Sequence, residues 1–168
     1  MIKGYKAFNK DLTNRYGSEF VEGTTYRVEG ELKFGNNGNG FHFCKRLEDT
    51  LRYFPGMEEE IDIAEVTSLE DNAEKYDEYN GYYDLYAARA LRIDRILPRE
   101  EIIEMFLNKS EERVIRFVSG YKLTPEEIEM FKLRYCDEPR IIMAIQYYQE
   151  DDKEVYKRNH EKQKVKKK

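Results

Sequence analysis

In the first half of the chain, apolar residues tend to recur at every second position, which is the spacing of a half-buried β-strand. The clearest case is Thr24-Thr25-Tyr26-Arg27-Val28, where β-branched and aromatic residues cluster between turn glycines at Gly23 and Gly30. Strands are predicted on these grounds at residues 2–8, 24–28, 41–44, 61–66 and 89–97. The first half is therefore predicted to be rich in antiparallel strands.

From residue 98 to about residue 158 the apolar residues instead follow a helical period. The pattern predicts four short helices, each with a single apolar face. Ser110 is expected to cap the second helix. The sharpest local signal is Thr124-Pro125-Glu126-Glu127, in which a capping threonine is followed by proline at N1 and glutamate at N3.

Together these patterns predict an α+β fold with three regions. An antiparallel β-rich N-terminal half with one short helix is expected over residues 1–97, and a helical extension packed on it over residues 98–158. Residues 159–168 contain almost only charged and polar side chains, so we expect a disordered, basic tail.

Composition narrows the class of protein. The chain of 168 residues is 40% apolar and 38% charged, which suits one core beneath a very polar surface. No run approaches the roughly 18 apolar residues of a membrane span, and the N-terminus lacks the apolar segment of a signal peptide. The two cysteines, Cys44 and Cys136, match no disulfide or zinc framework. We therefore expect no membrane association and a reducing, cytoplasmic setting.

The net charge of −5 conceals two regions of opposite sign. Residues 157–168 carry seven Lys or Arg and one Glu, a net +6, which leaves 22 basic and 33 acidic residues, a net −11, on the rest of the chain. Because binding to phosphate needs clustered cations, nucleic acid is expected to bind only through this tail. A protein partner with a basic surface would suit the acidic body.

Residues 40–54 join a predicted strand to a short helix and hold one of the two histidines. His42 and Cys44 are two positions apart, so their side chains share one face of the strand. A closed zinc site needs four ligands, and side chains at this spacing stand too far apart for a cysteine–histidine dyad. We therefore predict that both residues are structural or contact a ligand, and we predict no catalytic residue, metal or cofactor. A mixed metal site with carboxylates and a reactive Cys44 stay open as alternatives.

An acidic, tyrosine-rich segment separates the last two predicted strands. Ten of the residues from 58 to 78 are acidic, and Lys75 alone among them is basic. Tyrosine offers rigid contact area and a hydrogen-bonding hydroxyl, which suits recognition of a partner. Inward packing against the sheet is the alternative interpretation of the same rings. The predicted binding surface comprises Tyr76, Tyr79, Tyr82, Tyr83 and Tyr86.

Four short motifs occur in a distinctive order between residues 3 and 97. They are residues 4–12, which begin Gly4-Tyr5-Lys6-Ala7-Phe8, then Phe20-Val21-Glu22-Gly23-Thr24-Thr25-Tyr26, then Gly40-Phe41-His42-Phe43-Cys44, and finally Leu51-Arg52-Tyr53-Phe54. They resemble an uncharacterised domain family of phage, prophage and giant-virus genomes. Asn14-Arg15 stands where relatives often have Cys-Arg. The resemblance implies a viral or mobile-element accessory protein that acts in the host cytoplasm or in the virion.

The strand at residues 40–44, followed by a helix that carries Tyr53 near its end, also resembles a motif of ADP-ribosyltransferase folds. That resemblance implies an NAD-using enzyme in which residues 40–44 and Tyr53 line a nicotinamide pocket, with Tyr5 and Lys6 on the first strand. Lys6 stands where that family uses Arg or His, and no Ser-Thr-Ser motif occurs. Glu65 is the nearest candidate for the family's glutamate on a late strand.

Three classes of function follow from these observations. The sequence favours a non-enzymatic accessory protein that acts by protein–protein interaction, as an inhibitor of a host factor or as a virion component. An ADP-ribosyltransferase-like enzyme that uses NAD is the alternative. Weak binding of nucleic acid through the basic tail is a further alternative.

Overall fold

The chain divides into two compact units, with the boundary between Glu104 and Met105. The first unit is built on a β-sheet and the second on short helices. The computed structural model describes residues 1–13, 19–33, 38–54, 57, 60–69, 74–76 and 84–150.

Seven described strands form one antiparallel sheet in the first unit. They are β1 (Lys3–Asn9), β2 (Thr25–Arg27), β3 (Phe41–Cys44), β4 (Ile61–Ser68), β5 (Glu74–Tyr76), β6 (Leu85–Ala88) and β7 (Ala90–Ile96). Across the sheet they follow the order β2-β7-β4-β1-β3-β6-β5. The first strand of the chain therefore lies in the middle of the sheet, with β3 beside it.

The sheet opens between β1 and β3. All seven residues of β1 pair with β4, but β1 pairs with β3 only at Tyr5–Cys44. At this junction Gly4 has no room for a side chain, because a Cβ would lie 2.5 Å from the carbonyl oxygen of Cys44. The two strands thus meet closely at one point, and their pairing ends beyond it.

One face of the sheet carries the hydrophobic core of the first unit. Phe8, Phe43, Val66 and Leu91 come from four different strands and are buried together in one cluster. Phe20, from the connection between β1 and β2, packs on Phe8 with the ring centroids 5.0 Å apart. Burial does not alternate strictly along β3, β4 and β7, because neighbouring residues on both faces of these strands are buried.

A 3-10 helix, Leu47–Tyr53, follows β3 and packs against β1 and β3. Its sequence spacing suggests an α-helical face of Leu47, Leu51 and Phe54. The 3-10 helix instead buries five consecutive residues, Leu47, Glu48, Asp49, Thr50 and Leu51, so its burial does not follow a single α-helical face. Phe54 lies just beyond the helix, where the backbone φ angle is −134°, and leaves that face.

Four α-helices follow the sheet in the described residues, and the first of them crosses the boundary between the units. They are α1 (Arg99–Phe106), α2 (Glu111–Gly120), α3 (Pro125–Arg134) and α4 (Pro139–Ile145). The last continues into a π-helical turn, Gln146–Glu150.

The helix starts show which capping predictions hold. The capping box of α3 is confirmed: the Thr124 hydroxyl accepts a hydrogen bond from the backbone N–H of Glu127 at 3.2 Å, and the Glu127 carboxylate accepts one from the Thr124 N–H at 2.8 Å. Ser110 does precede α2 in an extended conformation, but its side chain makes no capping hydrogen bond. The side-chain cap predicted for α2 is therefore wrong.

Aromatic stacking and the half-buried side-chain amide of Gln149 hold the helical unit together. The rings of Phe106 and Phe117 stack nearly parallel with centroids 4.0 Å apart. The side-chain amide of Gln149 donates to the carbonyl oxygens of Val118, at 2.6 Å, and Tyr121, at 2.8 Å. Those carbonyls lie at the end of α2, where the helix itself provides no donors, so Gln149 fastens the π-helical turn to that end.

The predicted α+β fold is confirmed, with antiparallel strands in the first half and short helices in the second. Strands β5 and β6 were not predicted, because the sequence places this segment in an acidic excursion. All four residues of β6 are buried, so its apolar positions do not alternate. The packing of the helical extension on the sheet stays a prediction, and the basic tail lies outside the described residues.

We predict that Gly4→Ala destabilises the protein by about 1–3 kcal/mol, the usual cost of overpacking. The new methyl group would meet the Cys44 carbonyl and, 2.8 Å away, the ring of Phe43. Urea unfolding measures the change. Lys3→Ala on the same strand is the control, because Lys3 is exposed and its loss should cost under about 0.5 kcal/mol. Equal stabilities of the two variants would contradict the close approach.

Candidate functional site

A pocket of about 550 Å³ lies where β1 and β3 separate. This volume is within the range of roughly 300–1,000 Å³ that is usual for small-molecule sites. Both strands contribute to its lining, together with residues from the segment before β2, from β2, from the loop before β3 and from the 3-10 helix. The opening of the sheet thus creates a cavity whose walls come from distant parts of the sequence.

Aromatic rings form much of the pocket wall. Phe20 and Tyr26 meet edge to face with centroids 4.9 Å apart, and Phe41 lies 6.5 Å from Phe20 and 6.4 Å from Tyr26. The Tyr26 hydroxyl accepts a hydrogen bond from the backbone N–H of Val21 at 2.7 Å, which fixes that ring. Tyr53 also lines the pocket and is 38% exposed. Walls of this kind suit a flat, aromatic ligand.

Lys6 brings a positive charge into this aromatic setting. Its Nζ donates a hydrogen bond to the backbone carbonyl of His42 at 2.6 Å and lies 5.7 Å from the ring centroid of Phe8. Burial lowers the pKa of Lys6 to about 8. The cause is the loss of hydration, which destabilises the charged ammonium more than the neutral amine. The amine therefore changes its charge close to physiological pH.

His42 and Cys44 both line the pocket, but Cys44 is fully buried. Burial raises the pKa of the Cys44 thiol well above its ordinary value, and the nearby Asp49 carboxylate raises it further. The thiol therefore stays protonated at neutral pH, which disfavours a role as nucleophile. The predicted role of the two residues in ligand contact stays a prediction.

The family comparison covers the whole of this site. Residues 2–103 match the family described as Domain of unknown function (DUF7666). The chain belongs to this family. Every residue that lines the pocket lies within the DUF7666 match. The comparison with curated proteins found no match, and neither did the comparison with solved structures.

The predicted tyrosine surface is placed only in part. Tyr86 lies on β6 of the DUF7666 sheet, is 9% exposed and stacks on Phe43 with the centroids 5.6 Å apart. Its expected position on an exposed excursion is therefore wrong, because the ring packs into the core. Tyr76 ends β5. The remaining three lie outside the described residues: Tyr79, Tyr82 and Tyr83.

Glu65, the glutamate offered by the ADP-ribosyltransferase resemblance, is not part of the pocket lining. It lies on β4 and accepts a hydrogen bond from Arg95 at 3.3 Å, and Arg95 also pairs with Glu101. The residue therefore belongs to a surface ion-pair network. Glu19 is the lining residue of the described pocket that carries a carboxylate.

The sequence missed several residues of the DUF7666 pocket. Phe20, Tyr26 and Thr50 line it, although each looks like an ordinary strand or helix residue in the sequence. The motifs gave the one sequence signal for these residues, since Phe20 and Tyr26 begin and end one of the motifs that carry the family resemblance. The ring contacts among Phe20, Tyr26 and Phe41 show that these segments meet in the folded protein.

The described ranges also bear on metal sites and on membrane-spanning helices. Within them, no group of three or more His, Cys, Asp or Glu side chains is arranged to hold a metal ion. No helix there is both long and apolar enough to cross a membrane.

We predict that the two thiols react at very different rates in the folded protein. Cys136 is exposed and Cys44 is buried with a raised pKa, so a thiol reagent at pH 7.5 should modify Cys136 at least about a hundredfold faster. Stopped-flow absorbance on Cys136→Ser and Cys44→Ser isolates each thiol. Fast modification of Cys44 in the Cys136→Ser protein, without denaturant, would show that this thiol is accessible and reactive.

Proposed function

We propose that the DUF7666 domain of this chain binds a planar aromatic small molecule in its pocket, and that the nicotinamide end of NAD is the leading candidate. One observation carries the proposal. Tyr5, Lys6, Tyr53 and residues 40–44, which the ADP-ribosyltransferase resemblance assigns to a nicotinamide pocket, line one cavity although they come from three separate segments.

The chemistry of the lining supports a flat ligand. Phe20, Tyr26 and Phe41 already pack against one another, so their ring positions are largely fixed before a ligand arrives. Such preorganised rings lose little side-chain entropy on binding. The Tyr53 ring, held by the Arg52 guanidinium 5.1 Å from its centroid, is exposed enough to stack on a bound heterocycle.

Binding and catalysis are separate questions for this site. Transfer of ADP-ribose would use a carboxylate near the bound sugar, and the candidate Glu65 is engaged by Arg95 instead. Glu19 is a carboxylate of the pocket lining, and it is exposed. We therefore propose a binding function, and NAD turnover by wild type and by Glu19→Gln measures whether an enzymatic function accompanies it.

We expect NAD or nicotinamide to bind to the wild-type protein in isothermal titration calorimetry. Tyr53→Ala should weaken binding about three- to tenfold, since stacking of an aromatic pair contributes about 0.5–1.5 kcal/mol. Tyr148→Ala is the matched control, because Tyr148 is also an exposed tyrosine, at 47%, and is not a lining residue. The proposal would be rejected if neither NAD nor nicotinamide gave binding heat. It would also be rejected if Tyr53→Ala and Tyr148→Ala weakened binding equally.

A protein–protein interaction is the second candidate function, and a specific observation in the helical unit favours it. Leu133 is 80% exposed and Met143 is 66% exposed, and exposed apolar side chains can contribute to an interaction surface where they are grouped. Met130, Tyr147 and Tyr148 are exposed in the same unit. As the resemblance to phage and giant-virus proteins implies, the partner would be a host factor or a virion component.

Two sets of substitutions separate the possible interfaces. Leu133→Ser with Met143→Ser removes the exposed apolar side chains, and alanine at Tyr79, Tyr82 and Tyr83 removes the predicted tyrosine surface. The set that forms the interface should reduce partner recovery in a pull-down at least about tenfold. Both variants should keep a melting temperature within a few degrees of wild type. Unchanged recovery with both sets would place the interface elsewhere, and unfolding of the tyrosine variant would show that those rings are core.

A further inference from the structure

Lys6 places a cation in the pocket without an acidic partner in the described part of the chain. The ammonium contacts the His42 carbonyl oxygen at 2.6 Å and the face of the Phe8 ring, whose centroid is 5.7 Å away. Both groups offer partial negative charge, but neither carries a net charge. A desolvated charge without a counter-ion is unfavourable. An anionic group of a ligand would therefore interact more strongly with this ammonium than with a fully hydrated one.

We propose that Lys6 makes the pocket selective for aromatic ligands that carry an oxyanion, which accepts a charge-assisted hydrogen bond from the ammonium. The inference rests on the proposed small-molecule function and adds the charge of the ligand to it. In a dinucleotide the oxyanion is a phosphate, and in a simple aromatic acid it is the carboxylate. A neutral aromatic ring would fill the cavity and leave the charge of Lys6 without a partner.

The surroundings of Lys6 allow its titration to be observed separately. Carboxylates and imidazoles ordinarily titrate below pH 7, and phenols near pH 10. Burial instead lowers the pKa of Lys6 to about 8, and it raises the pKa of the Cys44 thiol far above that. The difference between wild type and Lys6→Met from pH 7 to pH 9 therefore reports on the ammonium. Charged and titratable side chains on the surrounding elements are Tyr5, Glu19, Tyr26, His42, Cys44, Glu48, Asp49, Arg52, Tyr53, Asp62 and Glu65.

The sign of the pH dependence follows from the charge of the ligand. An oxyanion binds the protonated form of Lys6 and raises its pKa, so affinity is constant well below pH 8 and falls as the pH rises through that value. Between pH 7 and pH 9 the protonated fraction of the free protein, and with it the affinity, should fall about tenfold. At pH 8 about half of the free amines are neutral, so binding should take up about half a proton per ligand.

The test compares a neutral and an anionic ligand of the same shape. Calorimetry with nicotinamide, nicotinate, benzoate and NAD, in two buffers of different ionisation enthalpy at pH 8, measures affinity and proton uptake together. Lys6→Met keeps the length of the side chain and removes its charge, and should weaken nicotinate binding about ten- to a hundredfold. The same variant should change nicotinamide affinity less than about threefold. Lys6→Arg keeps a permanent charge and should bind nicotinate without proton uptake.

The outcomes separate this inference from the proposed function. If NAD and nicotinamide bind, but nicotinate binding to the wild type takes up no proton and is unchanged by Lys6→Met, the inference is overturned and the proposed function stands. If nicotinate or benzoate binds with proton uptake while NAD does not bind, the inference stands and NAD is the wrong ligand. If none of the four binds, both are rejected. Should Lys6→Met fail to fold, the proton uptake and pH profile of the wild type decide.

Discussion

The close approach of Gly4 to the Cys44 carbonyl is the constraint on which the first unit depends. A side chain at Gly4 would hold β1 and β3 apart at the single point where they pair. Because full pairing with β4 fixes β1 along its length, the divergence must come from β3. The pocket, its aromatic wall and the position of Lys6 all follow from this one contact between two backbones.

Lys6 shows how the opening of the sheet is stabilised from within. Beyond the junction its ammonium, rather than a backbone N–H of β1, satisfies the carbonyl of His42. A side chain thus spans a gap that a ladder hydrogen bond would have closed, and it remains reachable from the cavity. The loss of hydration lowers the pKa of the amine to about 8, so the same feature that holds the gap also makes its charge sensitive to the surroundings.

The sequence predicted most of the fold because local signals agreed with it, as in the capping box at Thr124 and the alternation around Tyr26. It missed β6, since residues buried on both faces of a sheet show no alternation, and this error placed Tyr86 on the surface. In the site, the resemblance to a motif of ADP-ribosyltransferase folds had already placed residues 40–44 and Tyr53 in one pocket. Phe20 also belongs to a motif, but its place in the pocket wall could not be predicted, because it depends on contacts between segments distant in the chain.

The separation of β1 from β3 also creates an edge inside the sheet. Outer edges of β-sheets carry unpaired backbone groups that can recruit strands from other molecules, so proteins shield them. The edge of β3 that faces the pocket is enclosed by aromatic side chains and by the 3-10 helix. A strand that paired with this edge would have to displace these side chains. The same groups that line the pocket therefore also protect the molecule from pairing with strands of other molecules at this inner edge.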